Sequence, residues 1–228
     1  MDFFKDTHKY SLSSYFLYVN NFVNNDFSSY EFCALSMSIF VFTNDINSFK
    51  MLGTLIKKRL SDNQVANIFV NALFDVVDKG FNEVASLINE DPAFVVSPNI
   101  QNDQDGEFAL IVIVGNLSFI ESLFEPEQAH AVEKLIFEKL AKVYEMSVED
   151  FTSLIREYQS FMSRKNHPSK NMIYAMSKSI FHKYDLNNFQ DEYFKRMQAP
   201  NPLFLKRMDE VVQSFIWDWD AFFKKYKM

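Results

Sequence analysis

Glycine is scarce in this chain: Gly53, Gly80, Gly106 and Gly115 are the only four among 228 residues. Phosphate-cradling loops and dinucleotide fingerprints need several glycines close together, so that the backbone can adopt φ > 0 and approach the ligand. These four stand apart, and neither a P-loop, a G-x-G-x-x-G turn nor a G-x-S-x-G elbow can be written from them. Cysteine is scarcer still. Cys33 lies among Phe32, Ala34 and Leu35, the setting of a small buried hydrophobe rather than of a nucleophile, and it excludes a disulfide scaffold. A chain of this length does not need one, because a compact fold of its size buries roughly 70 to 75% of its unfolded surface.

Long apolar runs are missing as well. The two most apolar stretches, Phe32 to Phe42 and Phe108 to Val114, fall short of the ~20 residues that cross a bilayer. Met1-Asp2-Phe3-Phe4-Lys5-Asp6 has no basic region leading into an apolar one, so nothing there signals export. The expectation is a cytoplasmic protein without a membrane partner.

What the chain has in excess is phenylalanine, 26 residues of it. Phenylalanine supplies apolar area and helix interiors exclude glycine, so the pairing of the two extremes favours an aromatic-packed helical globule.

Charge is unevenly spread beneath a net of −7. Residues 1–155 carry 10 Lys and Arg against 22 Asp and Glu, a net of −12, whereas residues 156–228 carry 13 against 8, a net of +5. Arg164, Lys165, Lys170, Lys178 and Lys183 follow one another with His167 among them and no acidic residue between Glu157 and Asp185. Such a stretch is either an anion-binding or acidic-partner surface or a solvated face that complements the acidic part of the same molecule. The acidic whole argues against general DNA or RNA binding, in which phosphate neutralisation dominates affinity.

Helix signals recur along most of the chain. Ser13 to Asn24, Ser29 to Phe42 and Ser48 to Leu60 read as three helices. Ser61-Asp62-Asn63-Gln64 is a capping box that starts another, and Val65, Phe69, Leu73, Val76, Val84 and Ile88 then repeat at near-helical spacing. Gly80 falls inside that repeat as a weak point or a close packing contact. Pro126 opens a helix with the face Val132, Leu135, Ile136, Leu140 and Val143, and Ser147 caps the stripe Val148, Phe151, Leu154, Ile155, Tyr158 and Phe161. Ser169 after Pro168 starts the next, with Met172, Ile173, Met176, Ile180 and Tyr184 inward. Ala93 to Val114 is ambiguous between a β-hairpin and a loop that enters a buried helix. The helix is preferred, because the apolar pattern runs on through Leu117, Ile120 and Phe124, too long for a strand.

After Pro200-Asn201-Pro202, apolar residues recur as Leu205, Met208, Val212, Phe215, Trp219, Phe222 and Tyr226 in alternating steps of three and four, an a/d seam. Four of the seven are aromatic, which suits a core or groove better than a coiled coil. Packing against its own chain is the first reading, and dimerisation or insertion into a partner groove the second.

Metal chemistry finds little support. Asp103-x-Asp105-Gly106 matches the middle of an EF-hand loop, but with Gly106 at position six the end positions become Gln101 and Val112, and the required carboxylates are missing. Glu127-x-x-His130, with Glu133 a further turn on, has the spacing of half a di-iron site. Its other half is absent: neither His167 nor His182 has a glutamate three residues before it. No cofactor is therefore expected.

The sequence predicts an all-α protein of about eight to ten helices, one globule over residues 1–228, with a small hairpin near 93–114 or a subdivision near 90–106 as alternatives. Three functional readings follow. The first is a non-catalytic protein, of an inhibitor or immunity type, that binds a protein partner through its charged surfaces. The second is a carrier or sensor of an apolar small molecule held among Phe and Met side chains. The third is an enzyme with a motif-free helical site around His130. Both a monomer and a homodimer fit the pattern.

Overall fold

The computed structural model describes residues 57–228. Cys33, His8 and the helices expected in Ser13 to Asn24 and Ser29 to Phe42 lie outside the described residues. In chain order the elements are β1 (Lys58–Arg59), α1 (Asp62–Glu90), α2 (Gly106–Leu117), α3 (Ile120–Leu123), α4 (Pro126–Val143), α5 (Val148–Asn166), α6 (Met172–Lys183), α7 (Glu192–Met197), α8 (Pro202–Val212), α9 (Trp219–Lys225) and β2 (Tyr226–Lys227). The architecture is all-α. Among the described residues, seven of these helices have seven residues or more. The end of the helix expected over Ser48 to Leu60 is instead extended: Lys58 and Arg59 pair in parallel with Tyr226 and Lys227.

Local chemistry explains the helix starts. Ser61 Oγ accepts from Gln64 N at 3.4 Å while Ser61 N donates to Gln64 Oε1 at 3.0 Å, the reciprocal capping box that opens α1. Pro126 occupies the first turn of α4, where its missing N–H costs nothing, and Ser147 Oγ caps α5 by accepting from Asp150 N at 3.0 Å. One start is displaced. Asn171, not Ser169, caps α6, its Oδ1 accepting from Ile173 N at 2.9 Å; Ser169 Oγ accepts from Asn171 N and shapes the preceding turn.

At the centre lies α2, buried without interruption from Phe108 to Leu117 and packed against α1, α5 and α6. A helix that is apolar on every side belongs in a core, where neighbours cover its whole circumference. The stretch Gly106–Leu123 is long and apolar enough by composition to cross a membrane, and most of it is buried inside the molecule. The alternative of a hairpin near 93–114 is thereby corrected: Leu110 to Val114 lie mid-helix. Phe94 makes only an isolated antiparallel bridge with Gln190, next to a hydrogen bond from Val95 N to Phe189 O. Twelve consecutive helix-compatible residues favour hydrogen bonding within the segment over pairing with a distant strand.

The connection from α1 to α2 is pinned at several points. Asn89 holds Ile100 from both sides, accepting from its N at 2.7 Å and donating to its O at 2.9 Å. Asp91, whose side chain is 1% exposed, takes a two-pronged contact from the Arg207 guanidinium at 2.6 and 2.7 Å and accepts from Ala93 N at 2.8 Å. The chain's last turn is fixed to the start of α1 through the short parallel pairing and through Lys57 Nζ, which donates to Phe223 O at 2.7 Å.

Candidate functional site

The carboxylate-free stretch between Glu157 and Asp185 folds into the C-terminal part of α5, a connection and the whole of α6. Packing of α5 on α6 sets their side chains against one another. The spacing of four residues then matters, because it stacks side chains on one helix face. Phe161 and Lys165 meet in this way on α5: the Lys165 ammonium lies 5.6 Å from the Phe161 ring centre. On α6 the same spacing lines up Tyr174, Lys178 and His182, with Lys178 Nζ 4.5 Å above the Tyr174 ring. Each ammonium rests on a π-face, a contact worth about 0.5–1 kcal/mol when solvent-exposed. Among the described residues, neither Lys165 nor Lys178 forms an ion pair.

His182 completes this cluster. Its half-buried ring meets Phe181 edge-on at 5.3 Å. Burial, followed by the positive charges of Lys165 and Lys178, pushes its pKa from 6.5 down to about 4 against the opposing pull of Asp185. The imidazole is thus neutral at pH 7.

Lys183 is differently placed. Its Nζ lies 3.0 Å from Glu107 Oε2 and 4.0 Å from the Tyr158 ring centre, and its side chain is only 17% exposed. Tyr158 Oη donates to the same Glu107 oxygen, and burial followed by the Glu107 charge pushes this phenol well above the ordinary range. Beside it, Tyr184 Oη donates to Gln104 O at 2.6 Å and accepts from Phe108 N at 3.3 Å, tying the first turn of α2 to α6. Tyr184 is likewise pushed up by burial. These groups satisfy one another, and Lys183 serves as their counter-ion.

Of the remaining residues in the basic stretch, Arg164 is exposed and donates to Ser160 Oγ at 2.7 Å. His167 and Lys170 are exposed near and within the α5–α6 connection. The six expected residues therefore divide: Lys165 and Lys178 each lie against an aromatic ring, Lys183 turns inward to Glu107, and Arg164, His167 and Lys170 are exposed. His182 was not part of the expected set. The Lys178–His182 spacing is visible in sequence, but the packing of α5 on α6 is not.

The other candidate residues are dispersed or committed elsewhere. Glu127 and His130 are exposed and Glu133 is half-buried on α4; burial, followed by repulsion from Glu121, raises the Glu133 carboxyl. Among the described residues no group of three or more His, Cys, Asp or Glu could hold a metal ion. The seam Leu205, Met208, Val212, Phe215, Trp219, Phe222 and Tyr226 is buried throughout, each residue 6% exposed or less. It does not run along one helix: α8 ends at Val212, a short 3₁₀ turn holds Gln213–Phe215, and α9 begins at Trp219. Phe215 stacks edge-on against Phe108 at 4.8 Å, and Trp219 lies against Phe69 at 5.5 Å and Phe124 at 5.3 Å. These rings pack on the chain's own core.

Fold and site together describe an all-α protein carrying an aromatic-cushioned basic face on two packed helices. No protein-family description, curated protein or solved structure matches the chain.

Proposed function

We propose that this is a non-catalytic binding protein whose α5–α6 face receives an acidic surface of a protein partner, as an inhibitor or immunity-type protein would. The observation that carries the reading is the pairing of Lys165 and Lys178 with aromatic rings rather than carboxylates. An acidic surface set against these ammonium groups would supply the counter-charge that no carboxylate among the described residues gives them. The aromatic rests also restrict the lysine side chains before a partner arrives, which lowers the ordering cost of binding.

Fluorescence anisotropy with a labelled hexaglutamate peptide tests the reading. The expected result is binding that weakens as salt rises from about 20 to about 300 mM, over which the Debye length falls several-fold, and that is lost in a Lys165→Glu/Lys178→Glu protein. Salt-insensitive binding, or binding unaffected by charge reversal, overturns it.

A further inference from the structure

Exposed apolar side chains scattered singly need no explanation, whereas a group of them marks an interaction surface. Among the described residues the large exposed hydrophobics are Val95, Val96, Val148, Tyr193, Met197 and Leu203. All but Val148 lie in segments that one buried residue, Gln190, joins. Gln190 Nε2 donates to Ala199 O at 2.9 Å and its Oε1 accepts from Asn201 N at 2.7 Å, so the chain before α7 is tied to the chain beyond it. Phe94, which precedes the two valines, bridges to Gln190, and Asn201 Oδ1 accepts from Leu203 N at 2.9 Å. α7 is thus a short helical knuckle closed at its base, and none of its residues is buried.

The outward side of this knuckle has two columns. Tyr193 and Met197, 67% and 57% exposed, follow each other at a spacing of four residues and so share one face. One position before each stand Glu192 and Arg196, both exposed, with the guanidinium Nε 2.9 Å from Glu192 Oε1. An apolar column therefore runs beside one that has a carboxylate at one end and a guanidinium at the other. Charge also balances over the whole knuckle: from Gln190 to Leu203, Asp191 and Glu192 are matched by Lys195 and Arg196. No net charge selects a partner of opposite sign. What such a surface complements is itself turned end for end, because a two-fold axis sets residue i against residue j of a copy and residue j against residue i.

We propose that α7 is a self-association face, on which a second copy of this chain packs its own α7 antiparallel about a two-fold axis. Tyr193 lies against the partner's Met197 and Met197 against the partner's Tyr193. Glu192 and Arg196 face the partner's Arg196 and the partner's Glu192, which extends each ion pair across the axis, and Leu203 and the two valines flank the contact. One short helix from each copy makes a small interface, and that fits a weak, reversible dimer, half formed at about 100 µM chain. The face uses none of the residues of the α5–α6 surface, so the two readings stand or fall separately.

The test is sedimentation velocity on the full chain between about 5 µM and about 1 mM. The expected result is a monomer–dimer equilibrium that Tyr193→Asn/Met197→Gln weakens at least about tenfold, with the urea midpoint of the monomer unchanged. Glu192→Arg alone and Arg196→Glu alone each set like charges together across the axis and are expected to weaken the dimer about tenfold. The double exchange Glu192→Arg/Arg196→Glu restores opposite charges at both places, and with them wild-type association. A chain that stays monomeric to about 1 mM overturns the proposal, whether another segment of the chain or a different protein covers α7. Dimerisation that the α7 substitutions leave unchanged puts the interface elsewhere and overturns it as well. Failure of the double exchange to restore what the single reversals remove overturns the antiparallel two-fold pairing that defines it.

Discussion

His182 shows how one side chain links the face to the stability of the fold. Its folded-state pKa of about 4 lies below the ordinary 6.5, so between these values the unfolded chain binds a proton that the folded chain does not. The histidine contribution is therefore fully present above pH 6.5 and is lost as pH falls through 4. Urea titrations at intervals across that window are expected to show wild-type stability declining more steeply toward acid than that of His182→Gln; parallel curves would contradict this. Gly80 gives a second residue-scale prediction. A Cβ added there would stand 2.7 Å from Phe215 Cζ, and that ring is fixed edge-on against Phe108. Alanine gains about 1 kcal/mol of helix propensity, but overpacking costs about 1–3 kcal/mol. Gly80→Ala is expected to be net destabilising, measured as a lower urea midpoint. The sequence located Gly80 as either a weak point or a close contact. Only the fold, which brings Phe215 against it from far along the chain, decides for the contact.

At the scale of elements, starts written in a few neighbouring residues were legible. The Ser61–Gln64 box, Pro126 and Ser147 each act within one turn, and each helix begins where they indicate. The C-terminal seam was legible as a set of buried residues but not as a path. Asn116, fully buried on α2, donates to Phe215 O at 2.9 Å and accepts from Trp217 N at 2.7 Å, so it binds the backbone where α8 gives way to α9. A hydrogen-bonding partner about a hundred residues away leaves no trace in the local three-four spacing. Asn116→Ala would leave Phe215 O and Trp217 N without their partner, at about 1–3 kcal/mol for each group left unsatisfied. The expected outcome is a loss of at least about 2 kcal/mol in urea unfolding, with a changed tryptophan emission in the folded state, since Trp217 and Trp219 lie in the same aromatic cluster. Wild-type stability in this variant would show that the junction is held by ring packing alone.

For the molecule as a whole, the uneven charge along the sequence becomes an uneven charge among helices. Residues 57–155 carry 7 Lys and Arg against 17 Asp and Glu, a net of −10, while α5 from Tyr158 onward and all of α6 carry no carboxylate. The basic stretch was readable as composition; which of its cations remain outward was not. That depended on Glu107, at the start of α2, drawing Lys183 inward. The central claim is that the outward remainder is a binding face. If Lys165 and Lys178 each contribute up to ~1 kcal/mol to an exposed charged contact, reversing both lowers affinity for an acidic ligand by about tenfold or more. The measurement that tests the claim most directly is amide chemical-shift mapping of the full chain titrated with hexaglutamate at low salt. The account predicts perturbations centred on residues 161–183 and abolished by the Lys165→Glu/Lys178→Glu substitutions. Perturbations centred elsewhere, or unchanged in the charge-reversed protein, would contradict it.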